Sequence, residues 1–149
     1  MASNYSFYSI PLYWFISLCP HWYAVNLIKT SNNGYWNLAN PKAAKTEEGY
    51  QKAVPAEIYD KYERSQAAHR NMIENAPLFI GAVVVGNVAG LPTATLNQAV
   101  GAYIGLRVLY ATLYINVRSQ KYAPIRSLIW LSSVALLFGV YIKAGNKIR

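Results

Sequence analysis

Between positions 63 and 77 the chain reads Glu-Arg-Ser-Gln-Ala-Ala-His-Arg-Asn-Met-Ile-Glu-Asn-Ala-Pro, and an apolar run follows directly as far as Leu91. On a helix, residues three and four apart share a face. Arg70 and Asn71 therefore both neighbour Glu74. A guanidinium, an amide and a carboxylate converge where the helix enters an apolar medium. Burying them is costly unless they pair or face a polar ligand. Long basic side chains can reach back to water from such a position, but Asn and Glu are too short to do so. The group thus reads as a binding site for a polar, charged molecule.

Two further stretches carry chemistry of the same kind. Arg107 lies well inside an apolar run, and Tyr103, Arg107, Tyr110 and Tyr114 follow one helical stripe. An intramembrane arginine is by default a functional candidate; the alternative is a tyrosine face with Arg107 paired to Glu74. Pro124-Ile125-Arg126-Ser127 opens a last apolar run. Proline suits a helix start, and the free amides there attract anions beside Arg126.

These residues need apolar helices to hold them. The chain has 149 residues, within the range of one domain. It is 54% hydrophobic and only 13% charged, against about 25% charged in an average soluble domain. The net charge of +8 does not point to nucleic acid. It falls in short segments between apolar runs, as the positive-inside rule expects. Cys19, His21 and His69 cannot supply a usual four-ligand metal site, so no metal is expected.

The pattern predicts an all-α fold, a four-helix transmembrane bundle with spans at about 5–28, 57–88, 94–117 and 124–142. The first span lacks the basic start of a secretory signal and reads as a retained helix, kinked at Pro20. Positions 29–60 read as a long polar connection with a solvated, charged surface. The loops after the first and third spans are basic and the middle turn is uncharged, which puts those two loops in the cytoplasm. Arg70, Glu74, Arg107, Tyr114 and Arg126 then gather in the cytoplasmic half of the bundle. Gly101 and Gly105 form a small-xxx-small pair that permits close helix contact.

The segments Glu63-Arg64, Ala68-His69-Arg70-Asn71 and Glu74 resemble the second-helix signature of the membrane-associated proteins in eicosanoid and glutathione metabolism, nearest their prostaglandin E synthase and microsomal glutathione transferase branches. The likeness continues at Leu38-Ala39-Asn40-Pro41, at Arg107 with Tyr114, and at Ala123-Pro124-Ile125-Arg126-Ser127. It implies a homotrimer in the endoplasmic reticulum membrane, with glutathione between adjacent subunits. Arg70, Asn71, Glu74 and Tyr114 would hold the tripeptide, with His69, Arg107 and Tyr110 as further cofactor-binding candidates. Arg126 would face the sulfur, with Ser127 beside it. The implied reaction is attack of the glutathione thiolate on a lipophilic electrophile, by conjugation or peroxide reduction.

The chain departs from the resemblance at Asn32, Ala67 and Tyr122, where arginine is expected, and at Ala43 and Met72, where the prostaglandin synthase carries acids. Those losses argue against prostaglandin synthase activity. They leave two alternatives: a glutathione-independent cyclase or isomerase using His69, Glu74 and Tyr114 as acid and base, or a lipid-presenting protein without catalysis.

Overall fold

The computed structural model describes residues 3–149. Its helices are α1 Ser9–Ser31, α2 Ala44–Ala53, α3 Ala56–Val88, α4 Thr93–Asn116 and α5 Ala123–Ile148, with one 3-10 turn at Gln120–Tyr122. No strand occurs among the described residues.

α1 begins four residues later than the hydropathy suggested and runs through Pro20 to Ser31. It ends because Asn33 and Gly34 take left-handed backbone conformations, with φ of 47° and 78°, and the Gly34 N–H returns to the Lys29 carbonyl at 2.8 Å. The second long helix starts at Ala56, against 57 expected, and the polar connection before it is not a simple solvated segment. Its middle is α2, which buries a single residue, Tyr50. Trp36 stacks on Tyr50 with ring centroids 5.0 Å apart, and the Asn37 N–H donates to the Tyr50 hydroxyl at 2.9 Å. Ala24, Ile28, Val54, Tyr59 and Tyr62 complete a small second core. This cap closes one end of α1 and α3. One buried aromatic in ten residues leaves almost no apolar period, so the helix was not legible.

α3 is the central element and packs against α1, α4 and α5. At 33 residues it is about 50 Å long, against a hydrocarbon core of about 30 Å. Its first four turns project, and three contacts brace them. Arg64 Nε donates to the Ile115 carbonyl at 2.9 Å. Arg118 pairs with Glu57 at 2.7 Å. The Lys61 ammonium sits 5.4 Å from the Tyr23 ring centre. Pro77 lies inside α3; it has no N–H to offer the carbonyl of Ile73, four residues back.

α3 turns into α4 at Gly90, whose φ of 65° needs a residue without a side chain. The Lys147 ammonium donates to the Gly90 carbonyl, and Asn4 donates to Asn87 at 2.6 Å. Both chain ends therefore meet this turn, opposite the cap. The main core joins Tyr13, Met72, Phe79, Val83, Leu96, Tyr103 and Leu137, with Phe79 stacked on Tyr103 at 4.6 Å.

Outside this core the helices expose apolar side chains, among them Phe15, Val84, Leu109, Leu128, Leu131 and Phe138. Apolar faces of this kind suit a bilayer. By hydropathy alone, the segment Gln120–Ile148 is long and apolar enough to cross a membrane. The other long helices carry the tyrosines, tryptophans and charges that lower their average.

Candidate functional site

Pro92 ends the turn and starts α4, which points Tyr103, Arg107 and Tyr110 inward. Arg107 is 0% exposed. Its Nη2 donates to Asn71 Oδ1 on α3 at 2.6 Å. Glu74, expected as a possible partner, is exposed on α3 instead. The helical step explains the difference. Three residues turn a helix by about 300°, so when Asn71 faces α4, Glu74 points about 60° away.

The Arg107 contact fixes the Asn71 amide. A guanidinium only donates, so the amide oxygen must face it. The Asn71 N–H groups are thereby left for another partner. The Nε and Nη1 of Arg107 are buried without any hydrogen bond. Its Cζ lies 4.7 Å from the Tyr110 ring centre. Tyr110 and Tyr114 have ring centroids 5.6 Å apart, and Arg126 stacks on Tyr114 at 4.0 Å. Asn71, Arg107, Tyr110, Tyr114 and Arg126 thus form one continuous chain across α3, α4 and α5.

Arg70 and Glu74 are exposed on the adjoining face of α3, and Glu74 and Arg126 both lie within electrostatic reach of the Tyr110 hydroxyl. Among the described residues, Arg118 and Glu57 make the one ion pair. Among these residues Arg70, Arg107 and Arg126 therefore have no carboxylate partner. Arg107 and Arg126 flank two tilted tyrosine rings, with Arg70 exposed nearby on α3, and guanidinium groups without carboxylate partners have the chemistry to hold an anion. Ser127 is exposed next to Arg126 on α5.

A cavity of about 220 Å³ opens beside Arg126, walled by Leu113, Val117, Tyr122, Ala123 and Ile125. A lipophilic group can lie there against the guanidinium edge.

His69 is not part of this chain of contacts. Its Nδ1 donates to the Ser17 carbonyl on α1 at 2.8 Å. Its ring faces His21 at 5.2 Å, and His21 in turn meets Gln66 at 3.2 Å. No cluster of three metal-binding side chains exists among the described residues. A support that the sequence did not mark, Tyr13, joins Tyr103 of the α4 stripe. The Tyr13 hydroxyl donates to the Met72 carbonyl at 2.8 Å, and Tyr103 lies against Tyr13. They hold the α3 backbone between Asn71 and Glu74. Tyr13 looked like one more aromatic in a tyrosine-rich first helix, and nothing in its spacing marked it.

The profile of the MAPEG family matches residues 19–146. Comparison with curated proteins and with solved structures gives no significant match. The matched region runs from the middle of α1 almost to the end of α5 and contains every residue of the arginine–tyrosine chain, so the protein belongs to the MAPEG family, the membrane-integral helical bundles of eicosanoid and glutathione metabolism.

Proposed function

We propose that the protein is a membrane glutathione transferase or peroxidase that activates the glutathione thiol against a lipophilic electrophile. The observation that carries this reading is the chain of contacts from Asn71 through Arg107 to Arg126, in which Arg107 is a buried cation with two nitrogens lacking any hydrogen bond and, among the described residues, no ion pair. A buried charge in that state calls for an anionic ligand. Glutathione offers two carboxylates, an ammonium and a thiol. Arg70 suits a carboxylate through its forked donors. The outward N–H groups of Asn71 suit a carboxylate or carbonyl oxygen. Glu74 suits the ammonium. Arg126 favours the thiolate over a thiol whose ordinary pKa is about 8.5. The thiol proton passes to water. The sulfur lone pair then forms a bond to the electrophilic carbon or peroxide oxygen as the leaving group departs with its electron pair.

Arg70 and Glu74 face outward from the single chain, which supports a site completed by a neighbouring subunit in a homotrimer. The endoplasmic reticulum, with the site toward the cytoplasm, follows from the family and the basic loops. Calorimetric titration of glutathione into the purified protein tests the reading. Glu74→Ala is expected to weaken binding tenfold or more, about 1.4 kcal/mol. No binding to the unaltered protein at millimolar glutathione overturns the proposal. Arg126→Ala is expected to abolish conjugation of a chlorodinitrobenzene-type electrophile while leaving most of the binding.

A second reading, glutathione-independent isomerisation, draws on the uncharged Asn32, Ala67 and Tyr122. Turnover that survives complete removal of thiols would favour it. The packing of His69 against α1 removes one of its acid–base candidates from the vicinity of Arg126.

A further inference from the structure

We propose that the groove between α4 and α5 at the end holding the chain termini binds one anionic phospholipid of the surrounding bilayer. The groove encloses about 340 Å³. Ala99, Ala102, Leu136, Gly139 and Val140 give it an apolar lining, and Thr95, Gln98 and Lys143 line it as well. Small side chains on both helices leave the seam unfilled. A Cβ built on Gly139 would meet nothing within 4 Å, so this glycine does not serve a close helix crossing within the chain. Lys143 lies one helical turn beyond Gly139 on the same face of α5. The slot therefore has an acyl-chain portion and a cationic end at headgroup depth.

Charge decides the occupant. All six acidic residues lie between Glu47 and Glu74, away from this end. Lys147 is committed to the Gly90 carbonyl. Among the described residues Lys143 has no ion pair, and no Asp or Glu side chain stands at its end of the bundle. Thr95 and Gln98 add donors for phosphate oxygens. A second copy of the chain, inserted in the same direction, brings the same end to the groove and offers Lys143 no acidic side chain. A phospholipid of net negative charge can neutralise it, and its acyl chain fits the apolar lining.

The test is lipid retention by the full-length protein, read by native mass spectrometry after reconstitution into phosphatidylcholine containing a minor fraction of phosphatidylglycerol. The unaltered protein is expected to retain one phosphatidylglycerol per chain in preference to phosphatidylcholine. Lys143→Gln should lower that preference about fivefold, the order expected for one lysine near an anionic surface. Gly139→Leu, whose Cβ has open space, puts a bulky side chain into the groove and should abolish retention. Lys121→Gln, at the opposite end, should not change it. Three outcomes overturn the proposal. Retention that survives Gly139→Leu but not Lys143→Gln would mean a snorkelling lysine at the surface without a groove. A changed subunit number in Gly139→Leu would mean an interface between copies. Retention of added oleate but not of phosphatidylglycerol would mean a fatty-acid site.

Discussion

At the scale of single residues, Arg107 separates binding from stability. A buried cation lacking its full set of partners costs the fold more than it returns. Arg107→Met is therefore expected to leave the melting temperature unchanged or raise it. Glutathione affinity should fall, because Arg107 fixes the Asn71 amide whose N–H groups are left for the ligand, and a lost hydrogen bond to a charged ligand costs about 1.5–3 kcal/mol. Thermal unfolding and calorimetry on the same preparation check both halves. A purely structural Arg107 would give the opposite pair of results. The sequence exposed the residue types well here. Arg70, Asn71 and Glu74 stood out because polar groups in an apolar run are costly, and Tyr110, Tyr114 and Arg107 because they share a helical face. What it could not supply was the pairing. Asn71 and Glu74 are both within reach of α4 by spacing alone, and only the rotation of α3, set by its packing on three neighbours, makes Asn71 the partner. His69 shows the same limit, since its place in the motif says nothing of Ser17 and His21 on another helix.

At the scale of elements, α2 and the Gly86 crossing were hidden for opposite reasons. α2 has too little apolar surface to show a period and is held by one stacked aromatic. Burial pushes the Tyr50 phenol above its ordinary value of 10.0, with Tyr35 adding to the shift and the hydrogen bond from Asn37 opposing it. Released from the cap, Tyr50 would ionise near pH 10; in place it stays neutral to higher pH. The cap therefore keeps its full stability below pH 10 and loses it as pH rises through the shifted value. Fluorescence of Trp36, corrected with Trp36→Phe, should report α2 loosening in that alkaline window while the membrane helices keep their far-ultraviolet dichroism. At Gly86 a Cβ would lie 2.7 Å from Leu96 and 3.2 Å from Val140, so α3, α4 and α5 meet there on a backbone. Gly86→Val is expected to destabilise by about 1–3 kcal/mol through overpacking, measurable as a lowered unfolding midpoint. In the sequence this glycine was one of several in apolar runs.

At the scale of the whole molecule, apolar side chains cover the outside of the bundle as well as the core. Hydropathy exposed the four long helices and their short uncharged turn at Gly90. It could not distinguish lipid-facing from subunit-facing surface, because both are apolar. Gly101 and Gly105 mark one candidate contact. Both are exposed on α4, and a Cβ on either would meet nothing within 4 Å. Gly105→Leu is thus expected to leave the folded chain intact while shifting the proposed trimer toward smaller species, as read by light scattering in detergent. An unchanged trimer would place the subunit contact on another helix.

Pro77 bears on how the site can be dissected by mutation. Because proline has no N–H to give it, the Ile73 carbonyl, one residue from Glu74, lacks its ordinary i+4 helical donor. That acceptor belongs to the main chain, so a scan that trims every side chain in turn passes over it. A Glu74 variant can retain a fraction of its grip on an ammonium through this carbonyl alone. The substitution that takes it away adds a hydrogen-bond donor: Pro77→Ala restores the helical N–H, closes the carbonyl, and should deepen the defect of Glu74→Ala although alanine itself makes no contact with the ligand.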